Sequence, residues 1–327
     1  MSLGQGLRKL FAGIAGNSRQ TVVDRAIYAV GDIHGYDDAL EPMLLAIKKD
    51  IKDRQRINPN YKAEIVFTGD YVCRGPNSKR VIDLLSKETA LQGEDGIKRT
   101  FLAGNHDYLL LQLLESKMPS ITTEIARDML DYGGLQTAAS YGVYLKNNTE
   151  AHNTKKIKGV NLCLNQSDLL DFQERMQGAV PEHHVSFLKN MKTSYHTEEF
   201  PEFFFCHAGV DWTKPYTEQK TNILIGMGSS IEQKTSREFA RCTDGAKDII
   251  VVHGHTIKDK IECKSGRISI DTGVFEKGGR LSCSILANGQ MIDSIQIKPK
   301  ASAYNPKYLP EPKITSIMSQ PLDVRPQ

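Results

Sequence analysis

AIYAVGDIHG, residues 26–35, joins a short apolar run to Gly-Asp and His-Gly. Ala26 to Val30 has the length and the β-branched and aromatic content of a buried strand. The run stops at Gly31, and two polar residues, Asp32 and His34, follow it. From Tyr36 to Ile51 the apolar residues Leu40, Leu44, Leu45 and Ile47 recur on about one face of a helix. The stretch reads as strand, sharp turn, helix, with a carboxylate and an imidazole at the carboxyl end of the strand. In open α/β sheets that end is where ligands bind.

The same pattern returns along the chain. EIVFT (64–68) leads to Gly69 and Asp70, and Arg99 to Ala103 leads to Gly104, Asn105 and His106. Glu202 to Cys206 leads to His207, and Asp248 to Val252 leads to His253, Gly254 and His255. Five predicted strand ends thus carry groups that can converge on one point. Helices are predicted over Ser78 to Ser86 and Tyr108 to Leu114, and residues 115–200 read as a mostly helical, polar insertion or cap. Arg267 to Asp271, Leu281 to Leu286 and Met291 to Ile297 read as late strands separated by Gly-Gly and Asn-Gly turns. The fold class is α/β. One domain is expected over 25–298, after an N-terminal segment (1–24) and before an extended tail (299–327) that lacks the periodicity of packed elements.

Composition narrows the function classes. A chain of 327 residues suffices for one large α/β domain, and 39% hydrophobic with 25% charged residues is ordinary for a globular protein. A net charge of +3 is too balanced for a nucleic-acid binder held by electrostatics. No apolar run approaches the about 18 residues that suggest a membrane span. Neither nucleic acid nor membrane is therefore expected as a partner. Arg8 and Lys9 precede a short apolar stretch, Leu10 to Ala15, which lacks a signal-peptide core and cleavage pattern and reads as a loose amphipathic helix. None of the six cysteines forms a CxxC pair, so a zinc knuckle is not expected. Their wide spacing fits free thiols in a reducing, cytoplasmic compartment, with Cys263 and Cys283 the pair to check for a bridge.

The ligand types suggest the chemistry. Carboxylates and imidazoles without thiolates suit manganese, iron or zinc better than calcium. A carboxylate at a strand end can bridge two ions roughly 3.5–4 Å apart, a pair that stabilises the attacking and leaving oxygens of an in-line phosphoryl displacement. Singly, each piece is weak. A Gly-Asp after a strand is most often a turn, and a lone histidine there is most often a hydrogen-bonded structural residue. Five such pieces in order favour the metal centre.

GDIHG (31–35), GDYVCRG (69–75), GNHD (104–107), HAG (207–209) and HGHT (253–256) resemble the phosphoprotein phosphatase branch of the calcineurin-like metallophosphoesterases, especially bacterial serine/threonine protein phosphatase-like members. The likeness runs from about Ile27 to Leu286, poorly over 115–200, and includes RGPNSKRVIDLL (74–85), SYG (140–142) and IDTG (270–273). It implies two mixed β-sheets packed face to face with flanking helices, a four-layer sandwich. It implies that Asp32 and His34 bind one metal, that Asp70 bridges both, and that Asn105, His207 and His255 complete the second site. His255 is chosen over His253 because the family's ligand is the histidine of Gly-His-Thr, which leaves His253 behind the ligands. His106 would protonate the leaving alkoxide, as an imidazole with an ordinary pKa of about 6.5 can near neutral pH. Arg74 would grip the phosphate through its planar fork. Two divalent ions are implied, manganese first, then iron or zinc. The activity implied is a serine/threonine protein phosphatase using direct attack by a metal-bound hydroxide. Its substrate would be a phosphorylated protein or a small phosphoester.

Two departures matter. Family protein phosphatases read GDxVDRG, whereas Cys73 stands here in place of the aspartate that orients and charges the catalytic histidine. Cysteine is a poor acceptor, so weakened general-acid catalysis is expected, least for activated aryl phosphates. Symmetrical diadenosine tetraphosphatases also lack that aspartate and also read GNHD, which makes a nucleotide phosphohydrolase the first alternative. A redox role for Cys73 is a lesser one. Second, a phosphate-binding arginine usual after HAG is missing from ILIGMG (223–228); Arg237 and Arg241 are nearby and could substitute, though a plain surface role is the favoured reading for either. These two changes also motivate a further alternative, a catalytically weakened, metal-binding interaction protein. Of the remaining features, His183 and His184 are expected at a solvent-facing helix start, Lys48–Lys49 and Lys155–Lys156 on solvated faces, and Trp212 either in a groove or in packing.

Overall fold

The strand expected over 26–30 forms as β1 (Arg25–Val30), with β2 (Lys62–Phe67) and β3 (Lys98–Phe101) parallel beside it. The computed structural model describes residues 23–90, 95–145, 155–158, 162–227, 249–264 and 266–305. The predicted N-terminal helix, Arg237, Arg241, Cys242 and the tail beyond Asn305 lie outside the described residues.

A small hairpin, β4 (Lys155–Lys156) and β5 (Cys163–Leu164), stands apart from two larger sheets. The second large sheet contains β6 (Ser194–His196), β7 (Phe203–Cys206), β8 (Ile250–His253), β9 (Glu262–Lys264) and β10 (Arg267–Ser269), in the order β6-β7-β8-β10-β9. β11 (Leu281–Ala287) returns to pair antiparallel with β1, and β12 (Gln290–Ile297) pairs with β11. The first sheet therefore runs β12-β11-β1-β2-β3. Both sheets are mixed: β7, β8 and β10 are parallel, while β6 and β9 are antiparallel edges.

Alternation along the strands explains the layers. Ile27, Ala29, Val66 and Leu286 of the first sheet meet Phe203, Phe205, Val252 and Ile268 of the second. Tyr28, Val30, Ile65, Phe67 and Ile285 point the other way, into the helices. Phe204, Cys206 and Val251 cover the outer face of the second sheet with Trp212 and Leu224. Strands buried on both faces read as unbroken apolar runs, which is how the sequence displayed them. The two sheets pack face to face, as the sequence led one to expect.

Eight α-helices occur among the described residues: α1 (Asp37–Ile57), α2 (Ser78–Ala90), α3 (Asn105–Glu115), α4 (Pro119–Asp131), α5 (Gly134–Ser140), α6 (Gln166–Ala179), α7 (Glu182–Lys189) and α8 (Thr221–Leu224). Between residues 115 and 200 the helices α4 to α7 place Met129, Leu135, Phe172 and Phe187 in the same core as α1 and α2. The first turn of α3 is formed by Asn105, His106 and Asp107, three residues earlier than the predicted helix.

Several expectations need correction. α1 continues past Ile51 to Ile57, where ion pairs one turn apart, Arg54 with Asp50 (2.7 Å) and Arg56 with Asp53 (2.8 Å), support the added turns. Leu45 is 60% exposed, because it lies about 140° around the helix from Leu40 and off the buried face. His184 is fully buried, with Nδ1 beside the Tyr141 hydroxyl (2.9 Å) and Nε2 beside Asp83 Oδ1 (3.0 Å), so only His183 faces solvent. Lys48 is not simply solvated: it reaches the buried Glu88, which also pairs with Arg99. Trp212 is a packing residue. Cys263 and Cys283 are both free, one exposed in β9 and the other buried in β11.

Candidate metal centre

Three loops leave the carboxyl ends of β1, β2 and β3 and interlock. Ile33 and His34 donate their backbone N–H groups to the Asp70 carbonyl (3.1 and 2.8 Å), and Gly35 donates to Tyr71 (2.8 Å). Asp107 staples the second loop to the start of α3, accepting from Tyr71 N (2.8 Å) and Gly104 N (3.0 Å). The backbone N–H of His106 then donates to Asp70 Oδ1 (3.1 Å). The second sheet reaches across. His207 Nδ1 donates to the Thr68 carbonyl (2.9 Å), and the His255 N–H donates to both carboxylate oxygens of Asp32 (3.2 and 3.0 Å).

Backbone strain concentrates here. Of the six described non-glycine residues with positive φ, His34, Asp70, Cys73, Arg74 and His255 lie in these loops. The sixth, Asn288, occupies the predicted Asn-Gly turn. Left-handed backbone costs energy for such residues and persists only where the surroundings enforce it.

The side chains singled out by sequence come together at the seam of the two sheets. Asp70, His207 and His255 each offer a ligand atom within 4.8 Å of the others, as do His34, Asp70 and His106. Because a carbonyl only accepts, His34 carries its proton on Nδ1 toward Val72 O (3.0 Å), and His207 carries one on Nδ1 toward Thr68 O. Their Nε2 atoms are left facing inward. His207 Nε2 stands 3.3 Å from Asp70 Oδ2, 3.3 Å from Asn105 Oδ1 and 3.2 Å from His255 Nδ1. His255 Nδ1 lies 3.2 Å from Asn105 Oδ1 as well. These are lone-pair groups crowded on lone-pair groups, an arrangement that a cation or a bound proton must hold together.

The electrostatics express the same crowding. Burial disfavours the charged form of His207, yet Asp70 and Asp32 outweigh it and raise its pKa to about 10. Burial alone would raise Asp70, but His207 and His106 hold its carboxyl well below the usual range. Burial and the neighbouring Asp271 push Asp32 well up. A divalent ion held here would relieve both tensions, taking the place of the proton on His207 and offsetting the charge of Asp32. The oxygen and nitrogen donor set, free of thiolate, fits manganese, iron or zinc.

The other expected residues differ in placement. His253 sits behind the cluster, with Nδ1 donating to the Gly254 carbonyl (2.9 Å) and Nε2 meeting Ser269 Oγ (3.0 Å); burial lowers its pKa to about 4. Arg74 Nη1 donates to His34 Nε2 (2.9 Å). His106 is buried, with Nε2 3.9 Å from Asp70 Oδ2, and its Nδ1 has no hydrogen-bond partner. Burial lowers its pKa to about 3, with Asp70 opposing and Arg74 assisting. The backbone N–H of Cys73 donates to Thr137 Oγ1 (2.8 Å), and burial pushes its thiol up, so it is not a reactive thiolate. Outside the centre, Asp83, His183 and His184 form another candidate group, where Asp83 and Tyr141 already engage both His184 nitrogens.

Sequence reasoning gave no role to two neighbours of the site. Asp271 is 2% exposed, accepts from Gly273 N (2.8 Å), and has its pKa raised by burial to about 6. It follows β10, so the strand-end rule that found Asp32 could have found it. Phe275 lies beneath Arg74, and no pattern marked it.

A sequence model described as calcineurin-like phosphoesterase matches residues 26–259. Among proteins of curated function, none matches the chain in sequence. A solved structure described as a candidate diadenosine tetraphosphatase is 20% identical, covering 84% of this chain and 94% of its own, with a TM-score of 0.48. A cold-active protein tyrosine phosphatase is 16% identical, covering 85% of this chain and 81% of its own, at a TM-score of 0.50. A metallophosphoesterase from Sphaerobacter thermophilus is 14% identical, covering 80% and 82%, at 0.36. At 16% identity the likeness to the tyrosine phosphatase is one of fold alone.

Proposed function

Since the chain belongs to the calcineurin-like phosphoesterases and is a metal-dependent phosphoester hydrolase, we propose that it is a dinuclear phosphomonoesterase acting on phosphorylated serine or threonine in proteins. The observation that carries this reading is the lone-pair cluster of Asp70, Asn105, His207 and His255 at the sheet seam. In the proposal Asp32, His34 and Asp70 would hold one ion, and Asp70, Asn105, His207 and His255 the other. Manganese is the first choice, then iron or zinc. When bound, the ions supply Lewis acidity at the phosphoryl oxygens and a water of lowered pKa. The protein supplies orientation. Val72 and Thr68 carbonyls fix the tautomers of His34 and His207, and the His255 N–H fixes the Asp32 carboxylate. Arg74 turns its fork to the phosphate, and His106 offers a proton to the leaving oxygen. A cytoplasmic location and a single domain over 25–298, with 115–200 as an insertion, belong to the same proposal.

One observation favours a second reading. The unpartnered Nδ1 of His106 leaves the proposed acid without support for its charged form. A leaving group that is already stable as an anion needs less protonation, as in diadenosine tetraphosphate or another nucleotide. Turnover of a phosphothreonine peptide and of diadenosine tetraphosphate, with manganese added, separates the two. Cleavage of the nucleotide alone overturns the first reading.

Cys73→Asp tests the acid. Residue 73 has φ +70, a region that aspartate tolerates better than most residues. A carboxylate there is expected to orient and charge His106, raising turnover of alkyl phosphates by about tenfold while aryl phosphates change little. Equal rates for both enzymes on an alkyl phosphate would show that position 73 does not act through His106.

A further inference from the structure

Arg74 rests on an aromatic ring. Its guanidinium carbon lies 4.1 Å from the centroid of Phe275, the shortest such approach among the described residues. Phe275 is buried and stands edge-on to His34, with centroids 4.9 Å apart at 89°. The ring is itself held from behind. The Phe275 carbonyl accepts from Tyr304 N (2.9 Å), and the Tyr304 ring meets Phe275 at 6.5 Å and 80°.

The segment carrying Tyr304 is anchored at its other end. Lys300 and Ala301 both donate their backbone N–H groups to Asp38 Oδ2 (2.6 Å each), and the Tyr36 hydroxyl donates to the Ser302 carbonyl (3.0 Å). Tyr36 and Asp38 flank the start of α1, just past the GDIHG turn that presents Asp32 and His34. Residues 300–304 thus form a strap from the head of α1 to the ring beneath Arg74.

We propose that Phe275 and Tyr304 are positioning residues that hold Arg74 for phosphate; this rests on the reading of Arg74 as the phosphate-gripping group. A guanidinium stacked on a ring contributes its face to the contact and keeps its in-plane N–H groups available for paired oxygens. The ring also confines a long side chain that would otherwise lose rotamer freedom when phosphate binds. It does so whether or not Arg74 remains on His34 Nε2.

The test is binding of inorganic phosphate to the full-length, manganese-loaded protein by titration calorimetry, beside kinetics with an aryl phosphate. Phe275→Leu keeps apolar bulk but removes the ring, and is expected to weaken phosphate about fivefold, raising KM with kcat nearly unchanged. Tyr304→Ala, at a partly exposed position, is expected to weaken it about two- to threefold, and Phe275→Tyr to restore wild-type binding. Arg74→Ala separates the two layers. If it weakens phosphate while Phe275→Leu and Tyr304→Ala bind like wild type, the positioning role is wrong and the reading of Arg74 stands. If Arg74→Ala binds phosphate as wild type does, both fall. Should Phe275→Leu fail to fold, Tyr304→Ala decides.

Discussion

Asp70→Asn is expected to lower turnover of an aryl phosphate by about a thousandfold or more and to reduce the bound metal. The substitution keeps size and shape but removes the charge that faces three imidazoles: His34 at 3.5 Å, His106 at 3.9 Å and His207 at 3.3 Å. Of the three candidate ligand groups among the described residues, the two at the sheet seam share Asp70, so both halves of the proposed centre depend on it. Its Oδ1 also orients the start of α3 through the His106 N–H, a contact that an amide oxygen can still accept. The fold should therefore persist while the chemistry fails. Metal content by elemental analysis, thermal stability and turnover measured on the same preparation distinguish these effects. Wild-type turnover in this variant would sink the proposed centre. Aryl phosphate turnover that disappears with Asp70 would reject the idea of a metal-binding protein that only interacts.

Gly104→Ala is expected to be nearly as damaging, although it changes no proposed ligand. A Cβ at residue 104 would stand 2.0 Å from Asp70 Oδ1 and 2.5 Å from Asp70 N. The backbone of Gly104, with φ −95, suits alanine, so the effect would come from collision alone. Neither neighbour can yield easily. The Asp70 carbonyl accepts from Ile33 and His34, and the Gly104 N–H is held by Asp107. Overpacking of this kind costs about 1–3 kcal/mol of stability, and displacing the carboxylate should reduce turnover by about a hundredfold. A protein with unchanged metal content and rate would show that the loops after β2 and β3 have slack the distances do not suggest.

These effects depend on geometry that sequence exposes only in part. The strands were legible because burial on both faces leaves unbroken apolar runs, and the polar residues after them were legible because glycine punctuates each turn. Placement at strand ends was enough to gather Asp32, His34, Asp70, Asn105, His207 and His255 as candidates. It could not by itself separate the two imidazoles of HGHT; the resemblance to Gly-His-Thr put His253 behind the ligands, where its hydrogen bonds to Gly254 and Ser269 hold it. His184 was misjudged because a histidine beside proline at a helix start carries no local sign of the Asp83 and Tyr141 that bury it; they lie 101 and 43 residues away. Phe275 was invisible for a related reason. A single aromatic residue in a loop declares its neighbours only when the chain has folded.

The antiparallel return of β11 onto β1 has a consequence for synthesis. β1 bears the first loop of the centre, yet one of its two neighbouring strands begins only at Leu281. During translation β1 emerges early, and its β11 edge has no native partner until almost the whole of the described chain has left the ribosome. Unpaired edges of apolar strands are where nascent chains associate wrongly. His207 and His255, proposed to hold the second ion, also arrive in the later part of the chain. Metal uptake at Asp70, the carboxylate proposed to be shared, should therefore wait at least until His255 has emerged, and at that point β11 is still to come.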